Sequence, residues 1–232
     1  VWRPEEVSMG GDVTDWQEAS LEEREVIGGI LRGFTQLELH VACYWGDVVT
    51  KYFPKHEVHA MARAFSCSEA VHAAAYSHLS DTLGLDEFEA FLGDPTARTK
   101  IDYFVNQTDP VVSLGVFSGA GEGVSLFSSF AALLSFNLDG RFKGLSQIIS
   151  WSALDEQQHS DGGCALFRQL DAEGSVTDDQ KRQVVEGFEA VLDNEDYFLE
   201  RIFNGYTLSC IDRDDLWHYL RYRANDRLSR LN

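Results

Sequence analysis

A chain of 232 residues, 44% of them hydrophobic, is long enough to bury a substantial core. Its 38 acidic residues outnumber 19 basic ones, and the formal net charge of −19 argues against nucleic acid and against an anionic membrane as partners. The first reading of that acidity is solubility.

Only four prolines punctuate the chain, and no stretch shows strand-like alternation, so the expected class is all-α. Residues 1–19 are polar and glycine-containing and read as an irregular N-terminal arm. The capping pattern Ser20-x-x-Glu23 opens a helix that runs to about Val49, and Pro54 breaks it. A second helix is expected from His56 to Leu83, stopped by Gly84. Shorter helices follow over 85–93 and 96–107, the latter closed by Pro110. Residues 111–138 are apolar apart from Ser, Gly and one charge, Glu122. That length would suit a membrane span, but a lone carboxylate between Gly121 and Gly123 is costly in lipid. The segment reads instead as the most buried helix of a bundle. Gly140 marks a turn, and helices are expected at 143–170, 177–203 and 212–230. No interdomain linker is evident, so residues 1–232 read as one domain. Cys43, Cys67, Cys164 and Cys210 are widely spaced, no secretory leader opens the sequence, and the four read as buried free thiols of a cytoplasmic protein.

Two copies of Glu-x-x-His carry the chemistry: Glu69 with His72, and Glu156 with His159. Each has a lone Glu upstream, Glu38 at 31 residues before Glu69 and Glu122 at 34 before Glu156. Three helical steps leave the two side chains of each motif about 60° apart on one face, so both reach one cavity. A spacing of 31 or 34 residues suits running to a helix end, turning, and returning to the same height. Four helices bearing Glu, Glu-x-x-His, Glu and Glu-x-x-His make a two-metal carboxylate site in the core of a ferritin-like bundle, with extra helices around it. The 50 residues from His72 to Glu122 imply a crossover connection. Four carboxylates and two imidazoles suit iron or manganese, not a structural zinc. His40, His56, His59, His78 and His218 lack the pattern and read as surface or packing residues.

With these residues in place, the chain resembles the radical-generating small (beta) subunit of class I ribonucleotide reductase along its whole length. The resemblance is carried by Trp2-Arg3-Pro4-Glu5-Glu6, by the run Ser68 to Ser77, by Asp155-Glu156-Gln157-Gln158-His159, and by Tyr219 to Leu228. It implies that Glu38, Glu69 and His72 hold one metal ion and Glu122, Glu156 and His159 the other, with Glu69 and a second carboxylate bridging. It implies that the dinuclear site activates an oxygen species to generate a tyrosyl radical on Tyr76. The radical equivalent would leave through Trp2, Asp155 and His72 toward a large catalytic subunit that reduces ribonucleotides. The residues Phe34, Phe127 and Phe130 would keep the site dry. Iron is the first assignment, with a Mn/Mn or Mn/Fe pair as alternatives and a flavoprotein activase as a further partner if manganese is used. A homodimer is implied. Two departures from the family pattern stand out: Glu38, where many members have Asp, and Leu126, where Phe is common. The alternative is a ligand-binding dimetal oxidase of the same superfamily, whose tyrosine–valine crosslink would use Val41 but meets Phe117 in place of tyrosine. A ferritin-type iron store would give no reason for Tyr76 or for the Trp2–Asp155 pair.

Overall fold

The computed structural model describes residues 2–85 and 107–232, and the secondary structure among them is helical. A 3-10 turn at Pro4–Glu6 precedes α1 at Gly10–Glu18. Helix α2 covers Leu21–Cys43 and continues through a wide π-turn at Tyr44–Val49 to a last turn at Thr50–Tyr52. Helix α3 is His56–Leu83. Helix α4 begins at Pro110–Val116, widens into a second π-segment at Phe117–Ser125, and ends through Phe127–Ser135 and a 3-10 turn at Phe136–Asp139. Helices α5 at Lys143–Ala172, α6 at Asp178–Phe203 and α7 at Arg213–Leu231 complete the order. The short helices expected over 85–93 and 96–107 fall almost wholly outside the described residues.

Local chemistry sets these boundaries. The Ser20 hydroxyl accepts the Glu23 N–H at 3.1 Å, and the Glu23 carboxylate accepts the Ser20 N–H at 2.9 Å, closing the expected capping box. Thr177 with Gln180 and Asp212 with Asp215 repeat the device on α6 and α7. Asp109 accepts two N–H groups at the start of α4, where Pro110 has none to offer. Helix α3 stops at Gly84, whose φ of 70° is a left-handed conformation that glycine adopts without strain.

Residues 53–55 turn α2 back onto α3, and residues 140–142 turn α4 back onto α5; the two hairpins meet through α3 and α5. Helices α6 and α7 cover α4 from outside. Pro110–Asp139 is long and apolar enough to cross a membrane, but 94% of its most apolar window is buried in the molecule. It is the central core helix.

Two expectations are corrected. The arm over residues 1–19 is not irregular throughout, because Gly10–Glu18 is helical. Its support is tertiary: Asp12 accepts the N–H groups of Gly144 at 3.0 Å and Leu145 at 2.7 Å, and Asp15 accepts that of Phe142 at 2.7 Å. The unpaired N–H groups that open α5 form an anion site, and α1 fills it. Burial pushes the Asp12 carboxyl above its usual range, against the pull of those N–H donors. The four cysteines are all free, but only Cys164 is buried; Cys43, Cys67 and Cys210 are exposed. Cysteine's average tendency toward burial does not fix its place on a particular helix face.

Candidate metal centre

The six acids and imidazoles singled out by spacing converge in the core. Glu38 comes from α2, Glu69 and His72 from α3, Glu122 from α4, and Glu156 and His159 from α5. Each is 2% exposed or less. They form two groups whose donor atoms all lie within 4.8 Å of one another: Glu38, Glu69, His72 and Glu156, and Glu69, Glu122, Glu156 and His159. Glu69 and Glu156 belong to both, so the second shared carboxylate is Glu156.

The donor atoms are aimed at common points between them. His159 Nδ1 lies 2.6 Å from Glu69 Oε1, and His72 Nδ1 lies 2.9 Å from Glu156 Oε1. Neither carboxylate oxygen is aligned as a hydrogen-bond acceptor. Both oxygens of Glu38 and Oε2 of Glu122 also have no hydrogen-bond partner among the described residues. A buried, unanswered carboxylate oxygen costs several kcal/mol, so this many in one cavity call for cations. A carboxylate-rich set with two imidazole nitrogens fits a pair of hard-to-borderline first-row ions.

Left to protons alone, the cluster must neutralise itself. Burial raises Glu38 well above the ordinary carboxyl range, and the charges of Glu69 and Glu156 raise it further. Burial likewise raises Glu122, with Glu156 and Glu69 adding to it. Glu156 goes the other way: burial opposes its charge, but hydrogen bonds from His159 and the charge of His72 hold it low. Burial works against both imidazolium ions, yet their carboxylate partners outweigh it, lifting His72 well above its usual value and His159 to about 9.

Around this cluster, Asp155 Oδ2 accepts from the Trp2 indole N–H at 2.9 Å and lies 3.1 Å from His72 Nε2 and 3.2 Å from Ser68 Oγ. The Trp2 ring stacks beside His72 with centroids 5.7 Å apart. Burial raises the Asp155 carboxyl, but these donors hold it below its ordinary value. An Nε2–H pledged to Asp155 leaves His72 Nδ1 facing the cavity, which sets the tautomer a metal ligand needs.

Tyr76 sits at 0% exposure one turn beyond His72, with ring centroids 6.4 Å apart. Its hydroxyl has no hydrogen-bond partner among the described residues. Burial and the charge of Glu38 push its pKa well above 10. Phe34 packs on the Tyr76 ring at 4.9 Å and Phe130 on Phe34 at 5.2 Å. Phe127 lies farther out, beneath Arg223. Leu126 is 3% exposed and lines the same core.

Sequence reasoning missed Trp45. It lies in the α2 π-turn, fully buried, and its indole N–H donates to Glu122 Oε1. Tyr44 beside it stacks on Phe117 of the α4 π-segment at 3.7 Å, so the two wide turns face each other. Seven residues separate Glu38 from Trp45, two helical turns, which was the available signal.

Three comparisons bear on this site. The family model "Ribonucleotide reductase, small chain" matches residues 1–232. The probable ribonucleoside-diphosphate reductase small subunit 376L of Invertebrate iridescent virus 6 is 33% identical over 242 residues, covering 92% of this chain and 67% of the viral protein. The ribonucleoside-diphosphate reductase subunit beta of Chlamydia pneumoniae is 27% identical, covering 99% and 73%. A putative class I ribonucleotide reductase from Bacillus halodurans superimposes at a TM-score of 0.90 and 21% identity, covering 100% of this chain and 88% of its own. The dimanganese(II)-NrdF of Streptococcus sanguinis gives 0.89 at 20% identity, covering 100% and 83%. At those identities the structural likeness is one of fold.

Proposed function

The chain belongs to the ribonucleotide reductase small chain family and is a ribonucleoside-diphosphate reductase small subunit, and from that premise we propose roles for its buried residues. Glu38, Glu69 and His72 would hold one metal ion and Glu122, Glu156 and His159 the other, with Glu69 and Glu156 within reach of both. The observation that carries this is the pair of overlapping, fully buried donor groups. Iron is the first assignment and manganese the alternative. When bound, a redox-active pair supplies the one-electron oxidising power that side chains lack.

The chain's own residues store and conduct the result. Burial and the Glu38 charge keep the phenolic proton on Tyr76, so its oxidation to a neutral radical would pass the electron to the oxidant that a bound metal pair supplies and the proton to a base of the cluster, with Glu38 the carboxylate that weighs most on the phenol. Phe34 and the fully buried surroundings shield it from solvent that would quench it. Asp155 fixes the His72 ring and joins it to Trp2, giving a hydrogen-bonded route along which the oxidising equivalent leaves. A small subunit works with a large catalytic subunit, and this chain is expected to do so as a homodimer.

Metal-free protein loaded with Fe(II) and exposed to oxygen, or with Mn(II) and superoxide, tests the assignment. Electron paramagnetic resonance is expected to show a tyrosine-type signal that vanishes in Tyr76→Phe while both metal ions stay bound. Undiminished nucleotide reduction by that variant, given its large subunit, would overturn the role of Tyr76. Whichever metal yields the signal names the working ion.

A further inference from the structure

Helix α7 places two arginines against the core. Arg227 is 2% exposed, and Arg223, four residues earlier, is half-buried on the same face. Arg223 Nε donates to the carbonyl of Gly123 at 2.8 Å, Nη2 reaches Gln157 Oε1 at 3.4 Å, and its guanidinium lies over the Phe127 ring at 3.4 Å. Arg227 Nη1 donates to Ser160 Oγ at 3.3 Å and Asp161 Oδ1 at 2.9 Å, and Nη2 to Gln157 Oε1 at 3.0 Å. Gln157 Nε2 in turn donates to Asp161 Oδ2 at 2.9 Å, closing the network.

Three of these partners are the chain neighbours of ligands. Gly123 follows Glu122, Gln157 follows Glu156, and Ser160 follows His159. Gly123 also lies in the π-segment, where the backbone departs from regular helical bonding and needs outside support. A Cβ at Gly123 would come within 2.6 Å of Arg227 Cδ, so glycine is what lets the arginine stem lie against this turn. The Arg223 fork therefore ties the wide turn bearing Glu122 to the helix bearing Glu156 and His159, while Arg227 lays its stem on that turn and binds the helix with its fork.

We propose that Arg223 and Arg227 are positioning residues for the Glu122–Glu156–His159 half of the site, and that they set how tightly this half holds its ion. The inference rests on the two-metal reading above. Its sign separates it from simple electrostatics. Two guanidinium charges beside a cation site repel the ion, so on charge alone their removal strengthens binding. Positioning demands the reverse, and it demands the planar fork, because a lysine ammonium cannot bond Gly123 and Gln157 from one fixed plane.

The test is a Mn(II) titration of the metal-free full chain, with anomalous diffraction at partial loading to assign each ion to its half. Wild type should take two ions. In Arg223→Gln the Glu122–Glu156–His159 half should lose affinity by about 10-fold or more, the range for residues that orient ligands, while the other half keeps its own. Arg223→Lys should behave like Arg223→Gln. Arg227→Gln should act in the same direction but also cost folding stability, so the half-buried Arg223 carries the decision. Tighter binding, unchanged binding, equal weakening of both halves, or rescue by lysine would each overturn the proposal. Failure of the wild type itself to take two ions would overturn the two-metal reading and the clamp with it. A wild type with two ions and an indifferent variant would sink the clamp alone.

Discussion

The two halves of the site use the same ligand pattern and are steadied in opposite ways. Around Glu38, Glu69 and His72 the support is anionic and leads outward: Asp155 bonds His72 and Trp2, and its side chain is 25% exposed. Around Glu122, Glu156 and His159 the support is cationic and turns inward: the half-buried Arg223 and the buried Arg227 grip the backbone and the neighbours of these residues, and Trp45 holds Glu122 itself. One half is coupled to the N-terminal arm and the other to the last helix. The difference teaches that ligand identity alone does not assign a job. A carboxylate behind an imidazole makes it more basic and extends it toward the surface, whereas guanidinium forks fix geometry.

Four manipulations would break or sharpen that contrast, beginning with metal removal, which acts on both halves at once. Loading at about 1,000 times the dissociation constant should stabilise the chain by about 4 kcal/mol for each ion, read as a rise in Tm on the order of 10 °C per ion over the metal-free form. A metal-free form equally stable would argue against ions in this cavity. Next, Asp155→Asn should cut nucleotide reduction with the large subunit by about 10- to 100-fold while both ions remain, because it strikes the outward-leading half. Retained activity would remove Asp155 from the route. Arg223→Gln makes the opposite cut, altering metal affinity in the gripped half only. The smallest effect belongs to Ser68→Ala, which removes one of three partners of Asp155 Oδ2. It should cost about 0.5–1.5 kcal/mol by denaturant unfolding and leave metal content unchanged. A larger loss would mean that Ser68 does more than assist Asp155.

Much of this contrast is invisible in the sequence. The six clustering positions are legible because helical periodicity translates spacing into a shared face, and Glu-x-x-His occurs twice with matched upstream acids. The helices are legible from caps and breakers such as Ser20, Gly84 and Pro110. The wide turns at Tyr44–Val49 and Phe117–Ser125 are not, because no local preference encodes a shift of one residue in the hydrogen-bond register. The bond from Trp45 to Glu122 spans 77 residues and that from Arg223 to Gly123 spans 100, so neither leaves a periodic trace. Helix α1 escapes for the same reason. Gly10 and Gly11 weaken its local signal, and what holds it is the start of α5, far along the chain.

That fastening of α1 to α5 imposes an order on how the molecule is made. Asp12 and Leu145 are 133 residues apart, and Trp2 and Asp155 are 153 apart. A ribosome that has finished α1, α2 and α3 has offered the arm part of its seat, where Trp2 stacks on His72 and Arg24 meets Trp16 and Gln17, but neither the start of α5 nor Asp155. Residues near the start of this sequence thus complete their seating late, because closing so long a loop must await its far end. A chain interrupted before α5 lacks both the second Glu-x-x-His and the anchor for Trp2. In that sense the molecule checks its own completeness: the bond from Trp2 to Asp155 closes only after both Glu-x-x-His motifs exist.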